Sequence, residues 1–66
     1  SSVGTGFFVA PGLIATNYHV VDNAGALYVD CGEGLRLPAV LHVKDSTNDL
    51  ALLRGARTVV FVRGYA

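Results

Sequence analysis

Gly6-Phe7-Phe8-Val9-Ala10-Pro11-Gly12-Leu13-Ile14-Ala15-Thr16 is the stretch that decides the fold. Two short apolar runs flank Pro-Gly, a pair that cuts extended chain with a tight turn. Neither run is long enough for a helix, so residues 6–10 and 13–16 read as two strands. The same pattern continues outward. Residues 26–30 alternate as a third strand, and Gly32-Glu33-Gly34 is a tight, glycine-permissive connection. Residues 35–43 form a longer fourth strand, broken at Pro38. Proline has no N–H to give to a ladder, which suits an edge or a bulge. A polar loop over residues 44–48 precedes Asp49 and the run Leu50-Ala51-Leu52-Leu53, and residues 58–62 make a β-branched last strand.

Residues 17–23 break the pattern with Asn, His and Asp, and read as a single helical turn or a loop. A helix bundle needs i, i+3, i+4 periodicity over about ten residues or more, and none is present. Six strands at roughly 8–12-residue spacing predict a small antiparallel barrel or sandwich.

Composition narrows the function. Five Lys and Arg balance five Asp and Glu, for a net charge of zero. There is no basic stripe to release counterions, which argues against nucleic acid as a partner. The longest apolar runs are four-residue stretches such as residues 7–10 and 59–62, far short of the roughly 18 residues of a membrane-spanning helix. A chain of 66 residues buries only about 60% of its unfolded surface. Its single cysteine, Cys31, offers no internal disulfide to help. With 52% hydrophobic and 15% charged residues, the chain is rich in apolar surface for its size, so part of that surface is expected to face a partner. The absence of an initiator Met adds to the expectation of a piece processed or excised from something longer.

Three local signals lie in order. Gly4-Thr5-Gly6-Phe7 precedes a strand. Alone it is ordinary turn chemistry, and it lacks the third glycine, the lysine and the helix of a phosphate loop. Thr16-Asn17-Tyr18-His19-Val20-Val21 places a histidine directly after a strand, where a hydrogen-bonded structural role is also common. Asn48-Asp49-Leu50-Ala51-Leu52-Leu53 places a carboxylate at the mouth of a buried strand, a position that aspartate also takes as a turn residue. Taken together they suggest more. A histidine acting as general base needs a partner for its second ring N–H, to fix the tautomer and stabilise the imidazolium. A rigidly held carboxylate at a strand start meets that need.

Read together, Gly4-Thr5-Gly6-Phe7-Phe8-Val9, Leu13-Ile14-Ala15-Thr16-Asn17-Tyr18-His19-Val20-Val21 and Asp49-Leu50-Ala51-Leu52-Leu53 resemble the first half of an HtrA-type serine protease, within the trypsin-like, chymotrypsin-fold group. The resemblance covers most of the chain, with the motifs in order. It implies an all-β chain of one six-stranded antiparallel β-barrel, residues 1–66, forming the N-terminal half of a two-barrel fold. It also implies that His19 is the general base and that Asp49 orients it. The substrate would be a polypeptide, no cofactor or metal is called for, and the principal partner would be the missing second barrel. Trypsin-like animal enzymes carry a cysteine next to this histidine. Its absence tilts the likeness toward bacterial or organellar relatives, with an extracytoplasmic setting.

One departure is as informative. The family's nucleophile lies in a Gly-x-Ser-Gly-Gly segment of the second barrel, and this chain holds only Ser1, Ser2 and Ser46, none in such a setting. Without a nucleophile and an oxyanion hole there is no acyl-enzyme chemistry, so the chain alone is expected to be inactive. Its exposed docking face predicts self-association or a swapped dimer.

Other readings stand beside this one. A catalytically dead barrel that binds a peptide or a partner needs neither His19 nor Asp49, and a small β-barrel unrelated to proteolysis would hold them by accident. His42 reads as an ordinary strand residue, Cys31 as a structural thiol, and Asp22 as a loop carboxylate. Asp45 rivals Asp49 but lacks the Leu-Ala-Leu-Leu that follows it. A zinc site from His19, His42, Cys31 and Asp49 has suitable ligand types but no close ligand pair.

Overall fold

The computed structural model describes residues 2–55 and 61–66. Eight short strands and one helical turn follow in order: β1 (Ser2–Gly4), β2 (Phe7–Ala10), β3 (Leu13–Thr16), α1 (Tyr18–Val21), β4 (Ala26–Asp30), β5 (Arg36–Pro38), β6 (Val40–Asp45), β7 (Leu50–Arg54) and β8 (Phe61–Tyr65). All strand pairings are antiparallel. They form two four-stranded sheets, β1-β8-β4-β5 and β2-β3-β7-β6.

The all-β expectation holds, but the single six-stranded barrel does not. Two extended segments bend and change sheets. The chain leaves β1 at Gly4, passes Thr5 and Gly6, and enters the other sheet as β2. Residues 35–43, expected as one strand, divide at Ala39. Pro38 ends β5 opposite Tyr28, and the chain then pairs with β7 as β6. The missing proline N–H accounts for the break, and β5 is an edge strand as proline requires. Of the expected last strand, residues 58–60 lie outside the described residues. The strand observed there, β8, sits between β1 and β4.

Pro11 and Gly12 make the β2–β3 turn, with Gly12 at φ 72°, the left-handed conformation that the second central residue of a type II turn requires. Alternation then places Ile14, Val29, Leu53 and Val62 inside with Val20, all fully buried, and with Val21 and Ala51 nearly so. Each large side chain in this cluster contributes roughly 2 kcal/mol of burial. Phe8, Leu27, Cys31 and Ala39 pack around it.

The helical turn α1 seats Val20 and Val21 in this core, and two glycines make room for it. A Cβ on Gly4 would lie 2.7 Å from Cγ2 of Val20, and a Cβ on Gly64 would overlap the Val20 carbonyl oxygen. The turn that carries His19 therefore rests directly on the backbone of the β1-β8-β4-β5 sheet.

Candidate active site

His19 and Asp49 are brought together at one end of the antiparallel β3–β7 pair. β3 ends at Thr16, separated from α1 by Asn17 alone, and β7 begins at Leu50, immediately after Asp49. Because Thr16 pairs with Ala51, the two chain ends are side by side. Thr16 is buried, and its hydroxyl donates to the Thr5 carbonyl at 2.9 Å, tying the strand end to the β1–β2 corner.

The Asp49 carboxylate meets His19 twice. Oδ1 accepts the His19 backbone N–H at 3.0 Å, and the imidazole Nδ1 lies 3.2 Å from Oδ1 and 3.0 Å from Oδ2. An ionised carboxylate only accepts hydrogen bonds, so Nδ1 carries the proton and donates it. The neutral tautomer then has its lone pair on Nε2. No described residue hydrogen-bonds that nitrogen, and the His19 side chain is 66% exposed.

Asp49 itself takes a left-handed conformation, φ 53°, which aspartate tolerates better than most residues. Its carboxyl is held below the usual carboxylate range. The His19 backbone N–H is the largest cause, followed by the imidazole hydrogen bond; burial opposes them, and electrostatic attraction to the imidazole and the Asn17 amide add smaller lowering effects. Asn17 donates from Nδ2 to both the main-chain oxygen and Oδ2 of Asp49, each at 3.3 Å.

The remaining candidates stand apart from this pair. The Asp45 carboxylate closes its own turn, accepting from the side chain of Asn48 at 2.7 Å and from the backbone N–H groups of Thr47 and Asn48 at 3.0 and 3.3 Å. Those bonds, led by the Asn48 side chain, hold its pKa down. Asp22 accepts from the Tyr18 hydroxyl at 3.2 Å, which raises the Tyr18 pKa. His42 occupies the irregular position of the β6–β7 ladder, between Leu41 and Val43, and is exposed. Cys31 packs half-buried against the core as a free thiol. Among the described residues, no three His, Cys, Asp or Glu side chains gather closely enough to hold a metal ion.

Asn17 is the residue that the sequence reading passes over. An asparagine just before a helical turn signals a cap, but nothing local shows its side chain turned toward Asp49.

The chemistry available here is that of an oriented base: an imidazole whose Nδ1–H is held by a carboxylate and whose Nε2 is open to solvent.

The trypsin-like peptidase domain family matches residues 4–63. An uncharacterized protein of Sinorhizobium fredii is 51% identical over 55 residues, which are 82% of this chain and 9% of that protein. A probable periplasmic serine endoprotease, DegP-like, of Chlamydia pneumoniae is 42% identical over 52 residues, 77% of this chain and 11% of its own. The periplasmic serine endoprotease DegP of Salmonella typhimurium is 36% identical over 55 residues, 80% of this chain and 12% of its own. The chain therefore spans about a tenth of the length of these relatives. No solved structure matches it.

Proposed function

This chain belongs to the trypsin-like peptidase family, in its HtrA-type branch, and we propose that it supplies the base and the orienting carboxylate of a serine endopeptidase. The observation that carries this reading is the Asp49 carboxylate at 3.0 Å from Nδ1 of His19, with Nε2 left open. In the reaction, Asp49 stays ionised and holds the imidazole in the Nδ1–H tautomer. Nε2 takes the proton from a serine hydroxyl as that oxygen attacks the peptide carbonyl, and then returns it to the leaving amine. The serine and the oxyanion donors come from a second barrel outside this chain, so the 66-residue piece does not hydrolyse peptides by itself. The relatives' names place them in the periplasm, and we assign the intact protein the same setting.

Two experiments test this. The reading frame around this segment should encode a Gly-x-Ser-Gly-Gly stretch downstream of Ala66. In the intact protein, Asp49→Asn should lower kcat by about 10⁴-fold through loss of the correct tautomer, and His19→Ala should lower it at least as far. A frame without that serine would leave a β-domain that binds without cutting, and peptide hydrolysis indifferent to His19→Ala would rule out His19 as the base.

A further inference from the structure

Asn17 sits at the N-cap of α1 with an extended backbone, φ −82° and ψ 143°, the conformation from which an asparagine ordinarily accepts an N–H of its own helix. It makes no such bond. Its side chain reaches across to Asp49, and the N–H of His19, second residue of the turn, is taken by Asp49 Oδ1 instead. The two residues have exchanged roles: the distant carboxylate caps the turn, and the local cap residue braces the carboxylate.

The orientation of the amide follows from its surroundings. Both atoms it faces, the main-chain oxygen and Oδ2 of Asp49, are acceptors, so the NH₂ end must point at them. Gripping backbone and side chain at once, the amide restrains the left-handed backbone of Asp49 together with the rotation of its carboxylate. That rotation decides whether Oδ2 meets Nδ1 of His19.

We propose that Asn17 is a positioning residue for the peptidase reaction, its side-chain amide clamping Asp49 so that the carboxylate faces Nδ1 of His19. The inference rests on the reading of His19 and Asp49 as base and orienter. It adds a brace contributed by the same two-sheet domain, present before any second domain docks.

The test is NMR on the 66-residue chain, which reads the brace without any activity. In the wild-type chain the Asn17 side-chain amide resonances should move with the same midpoint as the Asp49 carboxyl, and this movement should vanish in Asp49→Asn. In Asn17→Ala, and in Asn17→Ser, whose hydroxyl can cap the turn but is too short to reach Asp49, the Nδ1–H tautomer of His19 should fall from the major to the minor form. The Asp49 midpoint should rise, since the charged form has lost a donor. Folded variants that keep the wild-type tautomer and midpoint overturn the proposal. So does a wild-type Asn17 amide that stays flat through the Asp49 titration, a result that does not depend on the variants folding. A wild-type His19 found in the Nε2–H tautomer would overturn the pairing of His19 with Asp49 itself, and Asn17's role with it.

Discussion

Asp49 caps the helical turn that carries His19: Oδ1 accepts the His19 backbone N–H at 3.0 Å, and Oδ2 of the same carboxylate lies 3.0 Å from the imidazole Nδ1. Orientation of the imidazole and stability of the turn therefore run through one group. A serine peptidase needs its imidazole fixed in tautomer and direction. Here the group that fixes the tautomer also fixes the backbone from which the imidazole hangs.

That coupling predicts an acid-sensitive contribution to folding. The Asp49 pKa is lowered in the folded chain from an ordinary 3.8, chiefly by the His19 backbone N–H. A carboxyl with a depressed folded pKa stabilises the native state above its unfolded value, and that contribution is lost as pH falls through the lower, folded value. Asp45 is depressed as well, so the wild-type acid limb alone does not isolate Asp49. The difference between wild type and Asp49→Asn does. In thermal unfolding, the wild type should lead at neutral pH, and its lead should shrink as the pH drops below 3.8. An unchanged gap across that range would mean that the carboxylate's charge does not support the turn.

The seat of the turn is equally specific. A Cβ on Gly64 would run into the Val20 carbonyl oxygen and come within 3.2 Å of the Ala24 Cβ. Backbone cannot step aside as a flexible side chain can, so Gly64→Ala should cost about 2–3 kcal/mol, as overpacking does. Gly12→Ala makes the contrast. Nothing lies within 4 Å of a Cβ there, and only the left-handed φ of 72° is penalised, at about 1 kcal/mol. Denaturant titration of both variants should rank them in that order. The reverse ranking would show that α1 does not press on β8.

Much of this was legible from residues alone, and the exceptions share a cause. Leu13–Thr16 and Ala26–Asp30 emerge with the predicted bounds, because Pro-Gly and glycine-flanked turns punctuate them. β1 does not announce itself: it is three residues long, with only Val3 a strand former, and it exists because β8 pairs with it. Pro38 signals an interruption, but not that the chain beyond it joins a different sheet. At the site, His19 and Asp49 are marked by the residues around them. Asn17 is not, since its role depends on where a residue 32 positions away comes to lie.

Thr16 offers a milder test of how the site is held. Its buried hydroxyl donates to the Thr5 carbonyl at 2.9 Å, linking the residue before Asn17 to the corner between the sheets. Thr5 is exposed, so its carbonyl can recover a partner from water. Thr16→Val should therefore cost only about 1 kcal/mol, the net worth of one hydrogen bond. Thr16→Ser, which keeps the donor, should retain that increment apart from its lost methyl. Thr16→Ala lacks the same methyl as Thr16→Ser, so if those two melt together the hydroxyl is not what ties the corner.

The outer face of the β2-β3-β7-β6 sheet predicts association. Phe7, Ala15, Leu52 and Val43 align in one row across all four strands, and Val9 and Leu50 flank it. Phe7 is 64% exposed, while Ala15 leaves a hollow beside it. Among the described residues β6 pairs only with β7, so an open strand edge runs along the same patch. A continuous apolar face next to an unpaired edge favours contact with another copy when no other chain covers it. Sedimentation should show the average mass of the isolated chain rising with concentration, and Phe7→Ser should suppress the rise. A wild-type chain that stays monomeric at high concentration would mean that this face is tolerated in water. The apolar excess in the composition would then need another explanation.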